Sequence, residues 1–329
     1  MAARGGGTRA GSRLTTRRGL LAAGALLASC GNAPRPASGA GTPLPPMPLD
    51  GPLRSLGGFE IDARRLGAGS LSGIHLDGDL VATMVDDRSR WARARIVLRD
   101  GVAQALEPIA SGPLGDGAGR PLPRGYAGDA EAIARLPDGT WLVAYERWHR
   151  IRAYRRLDGP GAYVEAPPGL DRAPGNGGLE ALTVLADGRL LAITEDLQVS
   201  GRPELRRAWI GRPGAWLPIA WRPAQPYVPV DAAGLPDGGA LVLERRFSLL
   251  GGFGARLVRV TPAAIAAIGR EGVLEGAEIL RLDGAPLPAE NWEGVGVARH
   301  EGRTIVALVT DDNESVLQRL LMLLFELRD

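Results

Sequence analysis

From about residue 59 to the end of the chain, short apolar runs alternate with Asp-Gly, Gly and Pro punctuation, the pattern of β-strands joined by tight turns. Only residues 262–268, opened by Pro262, read as a helix. The pattern also repeats. Residues 131–146 and 180–195 align without a gap, each an apolar run, an Asp-Gly pair (Asp138-Gly139, Asp187-Gly188) and a second apolar run. Looser copies cover residues 72–86, 231–244 and 293–311. Asp-Gly supplies the left-handed backbone that a two-residue hairpin turn requires, so each copy predicts one β-hairpin.

The second strand of each hairpin, residues 142–145 and 305–309 for example, is apolar at every position and not at alternate ones. Both of its faces are therefore buried, as in a blade sandwiched between neighbouring blades; a β-sandwich would alternate more. The turns at Asp77, Asp138, Asp187, Asp237 and Glu301 recur 61, 49, 50 and 64 residues apart, which suits a four-stranded propeller blade of ~40–50 residues plus insertions. The chain thus predicts an all-β fold, a β-propeller over residues 53–329. Five hairpins, with room for another in residues 197–228, predict six blades, and residues 59–62 and 321–327 predict terminal strands that close the ring within one shared blade.

In four copies an acid opens the first strand and another ends the second: Glu131 with Glu146, Glu180 with Glu195, Asp231 with Glu244, and Glu293 with Asp311. The first copy sets Ser72 against Asp86. A hairpin returns to where it began, so these pairs share one rim of the ring, opposite the turns. Crowded carboxylates are costly unless protonated, paired or bound to a cation, and hard oxygen ligands in this number suit Ca²⁺ or Mg²⁺. The eight acids are the candidate metal ligands. Arg147, His149 and Arg245 lie on the same rim and are the candidate substrate-binding residues, offering donors to a phosphate or carboxylate. An alternative stays open, in which acids and arginines neutralise one another and join the blades. There is neither a Gly-x-Ser-x-Gly elbow nor a phosphate-binding P-loop, so a serine triad lacks its usual signal and no catalytic residue is assigned.

Ahead of the repeats, residues 1–29 hold five arginines and no acid, then an apolar run at 19–27, the order of a signal peptide. Arg17-Arg18 resembles the twin-arginine export signal, and Leu27-Ala28-Ser29-Cys30 resembles a bacterial lipobox, in which the cysteine is lipidated. The run of about 11 residues is too short to span a membrane, which needs roughly 20. Residues 30–52, rich in Pro, Gly, Ala and Ser, predict a flexible tether. The expected location is the periplasm or cell envelope, for a monomer that touches the membrane only through lipid on Cys30. As Cys30 is the only cysteine, the domain has no internal disulfide. The net charge of +2 becomes −3 once the leader's five arginines are set aside, which argues against a nucleic-acid partner.

Across residues 59–327 the chain resembles the phytase-like β-propeller family, whose bacterial members are described as having esterase-like activity. The resemblance rests on Asp129-Ala130-Glu131-Ala132-Ile133 with the run from Tyr145 through Glu146, Arg147, Trp148, His149 and Arg150 to Ile151. It continues in Asn176-Gly177-Gly178-Leu179-Glu180, and in Asn291-Trp292-Glu293-Gly294 with Thr310, Asp311, Asp312, Asn313 and Gln318. The chain departs where family members often have Glu-Gly and it has Glu131-Ala132 and Glu180-Ala181. The resemblance implies Ca²⁺ at an acidic channel mouth, hydrolysis of a phosphate ester by an activated water, and a small, phosphorylated ligand. On that reading Glu131, Glu180, Glu244 and Glu293 converge on one point, and Arg147 or Arg245 holds the anion. Two other readings remain: a non-catalytic envelope propeller that binds a ligand or protein through this rim, with Trp148 and Phe247 as anchors, and an ester or lactone hydrolase.

Overall fold

The computed structural model describes residues 39–315 and 317–328. The leader, with Arg17, Arg18 and Cys30, lies outside the described residues.

Strands β1 (Gly41–Leu44) and β2 (Leu53–Ile61) come first, followed by a one-turn helix α1 (Ala63–Leu66) capped by Asp62, which accepts from the backbone N–H of Arg64 and Arg65. The next two sheets are β3 (Leu71–Leu76), β4 (Val81–Asp86), β5 (Arg90–Arg99) and β6 (Val102–Pro113), then β7 (Ala130–Arg135), β8 (Trp141–Tyr145), β9 (Arg150–Tyr154) and β10 (Ala162–Val164). The third consists of β11 (Leu179–Val184), β12 (Leu190–Val199), β13 (Arg202–Arg212) and β14 (Ala215–Trp221). The fourth begins with β15 (Val228–Gly234), β16 (Ala240–Ser248) and β17 (Gly252–Val260); helix α2 (Pro262–Ala267) follows. Then β18 (Val273–Leu274) crosses back to lie beside β14, and β19 (Ala277–Leu282) completes the fourth sheet. The fifth runs β20 (Trp292–His300), β21 (Arg303–Thr310), β22 (Leu321–Leu327), β2 and β1, in that order.

The first strands β3, β7, β11, β15 and β20 touch one another in a closed cycle. The fold is therefore an all-β propeller of five blades, not six. Residues 197–228, read as room for a further hairpin, hold the end of β12 with β13 and β14, so the third blade spends that length on its own outer strands. The terminal strands close the ring as expected: β2 pairs antiparallel with β22, from Leu53 opposite Leu327 to Glu60 opposite Leu321. The expected tether of residues 30–52 needs correction at its far end. Ala40 and Gly41 are buried, and β1 pairs with β2 along its whole length, covering a sheet edge that would otherwise stand open. Helix α2 falls where the sequence placed it, with Pro262 in the first turn and the Thr261 hydroxyl accepting from Ala264 N–H at 3.2 Å.

The doubly apolar strands are buried on both faces, every residue of β8 and residues 305–310 of β21 included. Five first strands can surround an axis only if their backbones come close, and small residues permit it. A Cβ on Gly234 of β15 would stand 2.3 Å from the carbonyl oxygen of Val184 on β11. Gly234→Ala is expected to destabilise the protein by about 1–3 kcal/mol through this backbone clash, read as a lowered melting temperature; an unchanged melt would mean that the ring can widen.

Candidate functional site

In every blade the pairing of the first two strands slips by one residue near the same rim. A bulge leaves its extra residue outside the ladder and re-aims that side chain. The residues passed over are Ser72, Glu131, Glu180, Val230 and Glu293. A second ring stands on the second strands one residue beyond the pair that flanks each bulge: Asp87, Glu146, Glu195, Arg245 and Asp311. The backbone N–H of Glu146, Glu195 and Asp311 each donates at 2.9 Å to a carbonyl just before the bulge, that of Asp129, Gly178 and Asn291 in turn.

The structure therefore brings together Glu131, Glu146, Glu180, Glu195, Glu293 and Asp311, and adds Asp87 and Asp129. Asp231 and Glu244 stand one residue off this pattern. The Asp231 carboxylate turns down the channel, where it accepts from the N–H of Ala232 and of Val295, both at 2.8 Å, and ties β15 to β20. Glu244 is fully buried between the third and fourth blades, where it accepts from Trp221 Nε1 of β14 at 2.8 Å and from Arg256 Nε of β17 at 2.6 Å. A count from the turns locates the slip: Glu131 and Glu180 precede Asp138 and Asp187 by seven residues, Glu146 and Glu195 follow them by eight, and the same counts from Asp237 fall on Val230 and Arg245.

Carboxylate oxygens of Asp129, Glu131 and Glu146 lie within 4.8 Å of one another, as do those of Glu146, Glu180 and Glu195. Oxygens that bind one Ca²⁺ at ~2.3–2.6 Å lie up to about 5 Å apart, so each triad has the spread of a cation shell, and Glu146 belongs to both. Its Oε1 is held by the backbone N–H groups of Gly177 and Gly178, which leaves Oε2 to the cluster.

Burial, then the charges of Asp129, Glu146 and Glu293, raise the pKa of Glu131 well above the usual carboxylate range. Glu180 is raised in the same way by burial and by Glu131, Glu195 and Glu146. Burial pushes Glu293 up to about 8 against the pull of Arg245. Bare of cations, this mouth must take up protons. Arg245 spans Glu195 (3.0 Å), Glu293 and the Asn291 side-chain oxygen (2.7 Å), so its guanidinium is already occupied. Arg147 pairs with Asp129 and stays about half exposed. The His149 ring donates from Nε2 to Pro174 O at 2.9 Å, leaving Nδ1 as a buried lone pair without a partner.

A family model described as Phytase-like, esterase-like activity of phytase, matches residues 67–314. No curated protein matches the chain. Among solved structures it is similar to a putative gluconolactonase (15% identity, TM-score 0.42, over 86% of this chain and 95% of that one). It is similar also to the PQQ-bound aldose sugar dehydrogenase of Streptomyces coelicolor (14%, TM-score 0.44, 84% and 99%). A third, the virginiamycin B lyase of Staphylococcus aureus, shares 10% identity at TM-score 0.37, over 77% of this chain and 65% of the lyase. Likeness at such identities carries no function with it.

Proposed function

The chain belongs to the phytase-like family described by esterase-like activity of phytase, and from that premise we propose that its acidic mouth is a calcium-type cation site that holds and hydrolyses a phosphate ester. The observation that carries the reading is the pair of carboxylate triads sharing Glu146. Hard oxygens crowded in this way, with the carboxyls of Glu131 and Glu180 raised by burial and then by their neighbours' charges, fit a divalent cation that would take the place of the protons.

Asp129, Glu131, Glu146, Glu180 and Glu195 would hold the cation. When bound, it supplies positive charge that polarises a phosphoryl oxygen and lowers the pKa of a water. The remaining work falls to the chain. Gly177 and Gly178 fix the Glu146 carboxylate by their N–H groups. Arg245 holds Glu195 and Glu293 in place as a positioning residue. The exposed edge of Arg147 is free to meet the ester anion, and His149, tied through Nε2 to the Pro174 carbonyl, packs its ring against Gly178, whose N–H holds Glu146.

The test is calcium titration of EDTA-stripped protein by calorimetry, followed by phosphate release from a panel of phosphomonoesters. Saturable binding with calcium-dependent release supports the proposal. Absence of binding would leave the Arg245 network as a scaffold that joins blades, and turnover of a neutral ester by calcium-free protein would favour an ester hydrolase.

Export and anchoring belong to the same proposal and rest on residues 1–30. The working domain then sits in the periplasm or cell envelope, held by lipid on Cys30. Cys30→Ser is expected to move the protein from the membrane fraction to the soluble fraction and to abolish palmitate labelling; unchanged partitioning would remove the anchor.

A further inference from the structure

Beside the acidic mouth, the second blade exposes three aromatic rings that its own packing does not require. Tyr126, Trp148 and Tyr163 are 66%, 41% and 57% exposed. Tyr126 and Trp148 lie nearly parallel, 8° between planes and 6.4 Å between centroids, and Tyr163 leans on Trp148 at 54° and 5.8 Å. A contiguous group of large exposed rings marks a contact surface more often than chance. Trp148 stands two residues beyond Glu146, and its N–H donates to the Glu146 carbonyl at 2.6 Å, so the rings adjoin the carboxylate triads.

These rings are held from beneath. Arg150, buried, donates to the carbonyls of Trp148 (2.7 Å) and Ala127, and its guanidinium lies 4.2 Å over the Tyr145 ring and 4.7 Å over that of Trp148. Arg152, also buried, donates to Gly161 O at 2.7 Å and to the Tyr163 hydroxyl at 3.1 Å, and lies 4.3 Å over the Tyr163 ring. Among the described residues neither arginine has a carboxylate partner, and the Nε of each is buried without a hydrogen bond. Two buried charges without counter-ions are costly in the resting fold. Here that cost is met by carbonyl acceptors and by the faces of Tyr145, Trp148 and Tyr163, which fixes the rings in place.

We propose that this surface is a sugar-ring subsite, on which the C–H face of a pyranose from an anionic sugar such as a hexose phosphate packs against Trp148 and Tyr126. Rigid aromatic rings with polar edges suit such a ligand: the faces take the apolar side of the ring, and the Tyr126 and Tyr163 hydroxyls lie at the margin for its hydroxyl groups. The tilt of Tyr163 makes the surface stepped, which fits a puckered ring better than a flat base. That the sugar is a phosphate ester rests on the reading of the acidic mouth; the subsite itself does not.

Trp148 is also the means of testing it, since the other six tryptophans are 9% exposed or less, so ligand-induced change in exposed-indole emission reports on this position. The protein is titrated with maltotriose, glucose 1-phosphate, inorganic phosphate and adenosine monophosphate, each with EDTA and with excess calcium. Saturable changes with both sugars are expected, glucose 1-phosphate binding about tenfold more tightly than inorganic phosphate, with that advantage lost in Tyr126→Ala and Trp148→Phe by calorimetry. Silence toward both sugars, parity of glucose 1-phosphate with phosphate, or tighter binding of adenosine monophosphate overturns the proposal even where calcium binds. Maltotriose binding to a protein that takes up no calcium upholds the subsite and removes the metal reading instead.

Discussion

Glu146→Gln is expected to weaken divalent-cation binding by on the order of 100-fold while making the cation-free protein more stable, by about 1 kcal/mol. The two effects have opposite signs for one reason. Glu146 is the oxygen donor common to both triads, so its charge is the one a bound cation uses most and, in the empty mouth, one that repels both Glu131 and Glu180. The amide keeps an oxygen for the N–H groups of Gly177 and Gly178 and offers its NH₂ to Glu180, whose carboxyl lies within hydrogen-bonding reach of Glu146. Calorimetry with Ca²⁺ reads the first effect, and thermal unfolding in EDTA reads the second. Unchanged affinity would remove the shared site. Glu244→Gln is the contrasting variant: it breaks a buried pair with Arg256, costs about 3 kcal/mol, and leaves cation binding as it was.

Stripped of divalent cations, the protein is expected to lose stability as pH rises from about 4.5 to about 8. Glu293 carries the window: its ordinary value is 4.5 and the folded protein pushes it up to about 8. Between those values the native state binds a proton that the unfolded chain has released, so stability is whole below the lower value and falls as pH climbs through the upper one, on the order of 1 kcal/mol per pH unit for each such group. Glu131 and Glu180 are raised in the same direction and steepen the decline. Excess Ca²⁺ is expected to flatten it, because a bound cation keeps these carboxylates ionised in the native state. Melting temperatures at pH 5 and pH 8, in EDTA and in calcium, check this. A melting temperature that climbs with pH in EDTA contradicts it.

Hairpins were legible in the sequence because each is a local event, announced by Asp-Gly, or by Glu301-Gly302 in the last copy, between two apolar runs. The blade number was not, since the outer strands β13 and β14 turn at Arg212 to Ala215 without an Asp-Gly signal and resemble a new repeat. The same distinction divides the site. Glu131, Glu146, Glu180 and Glu195 belong to copies that align without a gap, and the structure sets them side by side. In the fourth copy, matching acid to acid slid the alignment by one residue and selected Asp231 and Glu244 in place of Val230 and Arg245. Asp87 is the first copy's counterpart of Glu146, one residue beyond the Asp86 that the alignment sets against Ser72, and Asp129 stands two residues before its bulge where other copies have Gly178 and Asn291, so an acid there could not be read from the repeat. Tyr126 and Tyr163 meet Trp148 only because the second blade folds its entry loop and its outermost strand toward the same rim.

The seam in the fifth blade has a consequence for the order of events in biogenesis. Strand β22 lies between β21 and β2, so the last strand to be synthesised is an interior member of its sheet, and β2 waits without its neighbour until everything from residue 62 to residue 320 has been made. Such long-range pairing makes for slow, all-or-none folding with exposed edges along the way. A translocon that threads unfolded chain would release it amino-terminus first, with β2 exposed and its partner still on the other side. A translocon that accepts only a finished, closed ring would spare it that interval, and the paired arginines at residues 17 and 18 are the kind of address such a route reads.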